Sequence, residues 1–295
     1  MKNASQNEDT LRGFGYALGA YVFWGFLPLY LKAIDHIPAV EVVAHRVLWS
    51  VPVAGLVLVL LRRTGDIGRV LRDPRALAMG CVTAALVSIN WGVYVWAIAV
   101  ERTLDAALGY YINPLFSVFL GSVLLGERLL RLQWVAVGLA AVGVAILTYF
   151  NGSLPWPTLV LTTSWGFYAY FKRSLPIGPN QGFLLEVLIL SPLALGYLAW
   201  LWTQGGGHFV PMSLDMWLLM GCGIVTAVPL LLYANGAKGL RLTTIGIMQY
   251  IAPTMIMLVA LFVFGEPFGQ ARAIAFPIIW AALALYTYSM FRSRR

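Results

Sequence analysis

Polar side chains able to touch a solute are few in this chain, and they recur at helical spacing inside long apolar runs. Thr103, Tyr110, Pro114 and Ser117 fall at i, i+7, i+11 and i+14, a single stripe of one helix. Thr83, Asn90 and Tyr94 make a second stripe, and Thr226, Pro229 and Tyr233 a third. Gln249 and Tyr250 hold, later in the chain, the place that Tyr110 and Tyr111 hold earlier. Such groups are costly against lipid, so the stripes must face the inside of a helix bundle or a water-filled route. Hydrogen bonds between helices are the simpler use; the clustering of several stripes favours a shared cavity.

Tryptophan divides by depth. Trp134, Trp156, Trp200, Trp202 and Trp217 stand at or near the ends of apolar runs, where an interfacial belt is expected. Trp24, Trp91, Trp96 and Trp165 lie deeper. Trp24 and Trp165 are each followed by Gly and hold equivalent places in the two halves. They read either as facing walls of a cavity or as lipid-side packing. A cavity of rings with few fixed charges suits a small, partly apolar solute whose ammonium rests on a ring face.

Titratable groups inside the runs are rare. His45 and Arg46 sit one turn into the second run, with Glu41 a turn earlier on the His45 face. A buried imidazole is a natural proton switch, which makes His45 a candidate for energy coupling. Alternatively the three residues anchor the end of the helix. Glu186 is expected to neutralise Lys172, Arg173, Lys238 or Arg241. Among the prolines, Pro114 and Pro253 are the hinge or kink candidates, because interruptions at matching positions of two halves point to a binding site. Either proline alone could simply bend its helix.

An intramembrane enzyme would need a buried nucleophile with a base, or clustered carboxylates for a metal. The three histidines are His36, His45 and His208, two of them at loops, and no paired acids lie inside a run. Neither a cofactor nor a metal is expected. Cys81 and Cys222 begin runs that enter from opposite faces, which excludes a disulfide.

The elements that must position these residues follow from composition. A chain 60% hydrophobic and 11% charged is an all-α integral membrane protein. Runs of about 20 apolar residues span a bilayer, and ten occur, near 13–33, 40–61, 76–99, 103–125, 131–150, 156–175, 180–202, 213–237, 243–264 and 270–291. The first resembles a secretion signal only superficially: its leader, Asn3 to Thr10, carries Glu8 and Asp9, and the run is too long. The net charge of +8 reports topology, not a nucleic-acid partner. Sixteen of the twenty Lys and Arg fall on the side of the two termini, against Lys32, Arg102 and Arg272 on the other, which predicts both termini in the cytoplasm. The tail residues Arg292, Arg294 and Arg295 are expected to contact anionic lipid headgroups.

The two halves repeat. Trp24-Gly25 with Lys32 returns as Trp165-Gly166 with Arg173, at a constant offset of 141 residues. Pro114 with Gly126-Glu127 returns as Pro253 with Gly265-Glu266, each Glu thirteen residues past its proline. Both Gly-Glu pairs read as turns, the Gly ending one helix and the carboxylate facing the positive end of the next. Gly138, Ala140, Ala141 and Gly143 read as a close contact surface, within one chain or between two. Five runs per copy force opposite orientations, giving ten membrane helices as two inverted five-helix repeats, 1–150 and 151–295. Inverted repeats are characteristic of secondary transporters.

Longer motifs carry a resemblance across essentially the whole chain. Trp24-Gly25, His45-Arg46-Val47-Leu48-Trp49-Ser50, Asn90-Trp91, Gly109-Tyr110-Tyr111-Ile112-Asn113-Pro114, Val228-Pro229-Leu230-Leu231 and Gln249-Tyr250-Ile251 are similar to the RarD-like branch of the drug/metabolite transporter superfamily, built of EamA-type repeats. The resemblance implies a ten-helix carrier with a central cavity lined mainly by spans 1, 3, 4, 6, 8 and 9. It also implies a bacterial inner-membrane location. The superfamily includes amino acid exporters of the YddG type and carriers of drugs and other metabolites. The candidate solute contacts are therefore Trp24, Asn90, Trp91, Tyr94, Tyr110, Asn113, Trp165, Tyr168, Tyr233 and Gln249. The expected function is export of a small metabolite, neutral or aromatic amino acids first, with a chloramphenicol-like drug or other metabolite as the alternative. A membrane sensor or assembly subunit is the alternative without transport. The sequence leaves the oligomeric state open.

Overall fold

A computed structural model describes residues 9–60, 65–70, 72–126, 128–173 and 175–292. Glu127, the leader before Asp9, and Arg294 and Arg295 lie outside the described residues, and with them the turn role expected of Glu127 and the lipid contact expected of the tail. Every regular element among the described residues is helical. The order is α1 Leu11–Lys32, α2 Ala39–Leu60, α3 Gly65–Val70, α4 Pro74–Ala99, α5 Thr103–Leu125, α6 Arg131–Asn151, α7 Trp156–Lys172, α8 Pro179–Thr203, α9 Leu214–Gly236, α10 Leu242–Met248, α11 Ile251–Phe262 and α12 Gly269–Arg292, with a 3-10 turn at Ala237–Gly239. Nine stretches among the described residues are long and apolar enough to cross a membrane, α10 and α11 together forming one of them. The remaining span is α7, only 17 residues long, at the place of the sixth apolar run.

Local chemistry sets the helix ends. The Thr10 hydroxyl accepts the Gly13 N–H at 3.0 Å, and the Ser213 hydroxyl accepts that of Met216 at 3.0 Å, each satisfying a first-turn donor. Gly126 and Gly265, mates in the repeat, both adopt a left-handed φ of 68° after their helices, a conformation that costs a residue with a Cβ. The ninth run breaks where the sequence predicted an interruption. Pro253 has no N–H for the Gln249 carbonyl four residues back, and the chain turns at Gln249 and Tyr250 before restarting as α11. Its mate Pro114 lies inside an unbroken α5. Of the two hinge candidates, Pro253 alone sits at a break.

Packing follows the repeat. The contact of α1 with α9 has its counterpart in α4 with α7, that of α1 with α11 in α5 with α7, and that of α2 with α9 in α4 with α8. The pairs α2 with α8 and α6 with α12 are their own counterparts. The Trp-Gly mates serve the same approach in each half. A Cβ on Gly25 would stand 2.6 Å from Met255 of α11, and one on Gly166 would stand 2.5 Å from the Phe116 ring of α5. On α6 the expected small-residue surface is shifted. Ala136, Ala140 and Gly143 are buried there, whereas Gly138 and Ala141 are exposed. A Cβ on Gly143 would meet Ile279 of α12 at 2.8 Å, so this contact lies within one chain.

The bundle end that carries the start of α1 is tied by Asp9. Its carboxylate accepts the Arg241 N–H at 2.8 Å, the Arg241 guanidinium at 2.7 Å and the Thr244 hydroxyl at 2.7 Å. These bonds, the Arg241 side chain first, hold the Asp9 carboxyl down to about 2. A depressed carboxyl contributes stability above its unfolded value of about 3.9 and loses it as pH falls through the folded one. Amide exchange at Thr10, whose N–H reaches Gly239 O at 2.9 Å, is therefore expected to show no loosening of this tie between pH 7 and 5. Asp9→Asn is expected to speed that exchange at neutral pH.

The opposite end holds more charge pairs. Lys32 reaches Asp35 at 3.0 Å and Glu101 at 3.6 Å, and Asp105 takes Arg102 at 2.7 Å and Arg272 at 3.0 Å. Glu266 corrects an expectation. Its carboxylate does not face the helix that follows it; it accepts the N–H groups of Thr103 at 2.7 Å and Leu104 at 2.9 Å, capping α5 from the other half of the chain. The positive end of a helix dipole draws a carboxylate whichever segment supplies it.

Candidate functional site

One cavity of about 140 Å³ lies at the centre of the bundle. Helix α1 brings Tyr21, Trp24 and Leu27 to it, α4 brings Asn90, Trp91 and Tyr94, and α5 brings Tyr110 and Asn113. Trp165 comes from α7, Thr226, Leu230 and Tyr233 from α9, and Gln249, Ala252, Pro253 and Ile256 from the broken span. Arg46 of α2 completes the wall. Steps of three or four residues recur within the sets, as in Tyr21, Trp24 and Leu27 or Thr226, Leu230 and Tyr233, because one face of a helix returns at that interval.

At the buried end, Asn90 joins three helices. Its amide donates to Leu161 O at 3.1 Å and to Ser164 Oγ at 3.0 Å, while its Oδ1 accepts the Tyr110 hydroxyl at 3.1 Å. Tyr94 and Tyr110 meet edge to face at 5.6 Å. Asn113, with its amide turned to satisfy both partners, donates to Thr162 O at 3.3 Å and accepts Trp165 Nε1 at 3.2 Å. Elsewhere on the wall the buried Tyr21 meets the half-buried Trp24 and Tyr233, with ring centroids 5.7 to 5.8 Å apart. Gln249 Nε2 donates back to Gly246 O at 3.0 Å.

Nine of the ten candidate contacts thus surround one space. Tyr168 is the exception: its hydroxyl donates to Glu186 at 3.2 Å, and Lys172 stands 5.2 Å over its ring. Glu186 pairs with Lys172 at 2.5 Å, one of the four neutralising bases expected. Pro253 lines the cavity and Pro114 does not. His45 is also off the cavity wall, stacked on Phe209 at 5.0 Å with neither ring nitrogen hydrogen-bonded among the described residues. Glu41 turns from His45 to His208, accepting its backbone N–H at 2.6 Å and pairing with its Nδ1 at 2.8 Å. Trp96, read as deep, packs on Trp156 at 4.7 Å near Arg102. The five belt tryptophans are all exposed.

The profile of the EamA-like transporter family matches residues 11–149. The chain is 42% identical to an uncharacterized transporter, YojE, of Bacillus subtilis, over 98% of each chain. The chain belongs to the EamA-like transporter family. Several of its relatives bear the RarD name. It is 40% identical to the RarD protein of Streptomyces exfoliatus, covering 99% of this chain and 92% of that one. It is also 32% identical to the chloramphenicol-sensitive protein RarD of Pseudomonas aeruginosa, over 93% of each. A solved crystal structure at 21% identity superposes with a TM-score of 0.59 over 92% of this chain and 96% of that one, a likeness of fold. This EamA-type chain is a multi-pass membrane transporter, and the cavity just described lies inside its helix bundle.

Two residues outside the candidate contacts also reach this space. Tyr21 and Arg46 line the cavity; Tyr21 sits in an unbroken apolar run, and Arg46, the one inward cation the sequence offers, also reads as part of a helix-end cluster. The three-residue step from Tyr21 to Trp24 was the available signal for the first. For Arg46 it was the cost of any unpaired cation in a span.

Proposed function

We propose that this protein is a secondary transporter exporting small metabolites, neutral or aromatic amino acids foremost, across the bacterial inner membrane by alternating access. The observation that carries the reading is the convergence of rings and amides from six spans, with Arg46 from a seventh, on one cavity. At about 140 Å³ it is much smaller than the roughly 300–1,000 Å³ typical of drug-sized ligands. That difference favours an amino acid over a chloramphenicol-like drug, the alternative suggested by the name of the Pseudomonas relative. The halves 1–150 and 151–295 act as two inverted repeats, a reading supported by the exchangeable helix contacts. Both termini face the cytoplasm, in keeping with the basic residues gathered on that side.

The test is counterflow of labelled phenylalanine, threonine and methionine in liposomes containing the purified protein. Saturable exchange is expected, falling at least about tenfold in Trp24→Ala, in line with an aromatic anchor worth over 1 kcal/mol. Protein liposomes that match empty ones for every amino acid, with the fold verified, would overturn the amino acid assignment.

A further inference from the structure

Resting on that reading of the cavity, we infer that Arg46 and Tyr94 form a carboxylate subsite, so that the solute is a small carboxylate or zwitterion bound with its anionic end toward α2. Arg46 is 3% exposed and lines the cavity. Its Nε donates to Thr226 Oγ1 at 3.0 Å and its guanidinium lies 4.9 Å over the Trp91 ring. Its Nη1 has no hydrogen-bond partner among the described residues, and neither has the Tyr94 hydroxyl, itself 3% exposed. No Asp or Glu lines the cavity, so Arg46 is its only formal charge among the described residues.

Several neighbouring polar groups are already engaged. Both hydrogens of the Asn90 amide are taken, the Tyr110 hydrogen goes to Asn90, and Gln249 donates to its own helix. A guanidinium offers donors only, and a buried cation without a counter-ion is unfavourable unless something supplies the charge. A carboxylate does so with two acceptor oxygens and strong, charge-assisted bonds. The Tyr21, Trp24 and Tyr233 rings then accept the apolar body, and an ammonium, where present, meets a ring face. An amine without a carboxylate would meet only repulsion from Arg46.

The test uses thermal unfolding of the purified full chain with phenylalanine, 3-phenylpropionate and phenylalaninol, which respectively carry both charged groups, the carboxylate alone and the ammonium alone. The first two are expected to raise the Tm and the third to leave it unchanged. Arg46→Gln should abolish the ligand-induced shift while the ligand-free Tm is retained or raised, because a lone buried charge has been removed. A merely structural Arg46 would lower that Tm. Arg46→Lys should keep a reduced shift, and guards against a Gln variant that fails to fold. Equal stabilisation by phenylalaninol, an undiminished shift in Arg46→Gln, or no shift with either carboxylate would overturn the subsite. Counterflow of any solute would still sustain the transport reading in each of those cases, whereas its failure alone would leave a carboxylate-induced shift standing.

Discussion

Gly223→Ala is expected to cost more stability than any other Gly→Ala change among the described residues. Gly223 lies on the buried face of α9, and a Cβ there would overlap the Trp49 carbonyl of α2. A carbonyl group cannot swing aside as a side-chain tip does, so the two helices must part. Overpacking costs about 1–3 kcal/mol, and contact with backbone puts this case at the upper end. The unfolding midpoint should fall by roughly 5–10 °C, with reduced yield of monodisperse protein. Gly138→Ala is the control, since nothing lies within 4 Å of a Cβ there. Equal midpoints for the two variants would mean that α2 and α9 do not approach this closely.

Glu266→Ala should produce the second large loss, through a different cause. It leaves the buried N–H groups of Thr103 and Leu104 without their acceptor, at about 1–3 kcal/mol for each unsatisfied donor. Hydrogen exchange at the start of α5 should accelerate by at least about tenfold, while exchange in α6 stays unchanged. Glu266→Gln should fall between, because an amide oxygen still accepts but brings no charge to the helix dipole. Unaltered exchange in Glu266→Ala would show that water replaces the carboxylate at no net loss.

The candidate site was legible where polar residues repeat on one helical face. Asn90 with Tyr94 is such a pair, Tyr110 lies on a second stripe, the duplicated Trp-Gly motif marked Trp24 and Trp165, and Asn113 was marked only by the motif Gly109 to Pro114 that carries the family resemblance. Arg46 was left out of the contact set because its place depends on the rotation of α2, where Glu41, His45 and Arg46 offer no single polar face. Glu41, His45 and Arg46 are close in sequence yet diverge in space, toward His208, Phe209 and Thr226 respectively. Tyr168 failed for the reverse reason: it lies three residues after Trp165, but α8 offers it Glu186. Thr103 and Ser117 share a stripe with Tyr110 and still miss the cavity, since a stripe is longer than the space it crosses. The ends of the helices were readable from apolar length, Gly and Pro. The capping of α5 by Glu266 was not, because it joins residues more than 160 positions apart.

Among the described residues, α6, α8 and α12 put no side chain on the cavity wall. The side chains a solute meets are thereby confined to the other helices, which also carry close packing such as that of Gly223 against Trp49. A mutational search for a new cargo can be confined to the cavity faces of α1, α4, α5, α7, α9 and α11 with positions 46 and 249. Cargo can then change without rebuilding the α6–α12 seam.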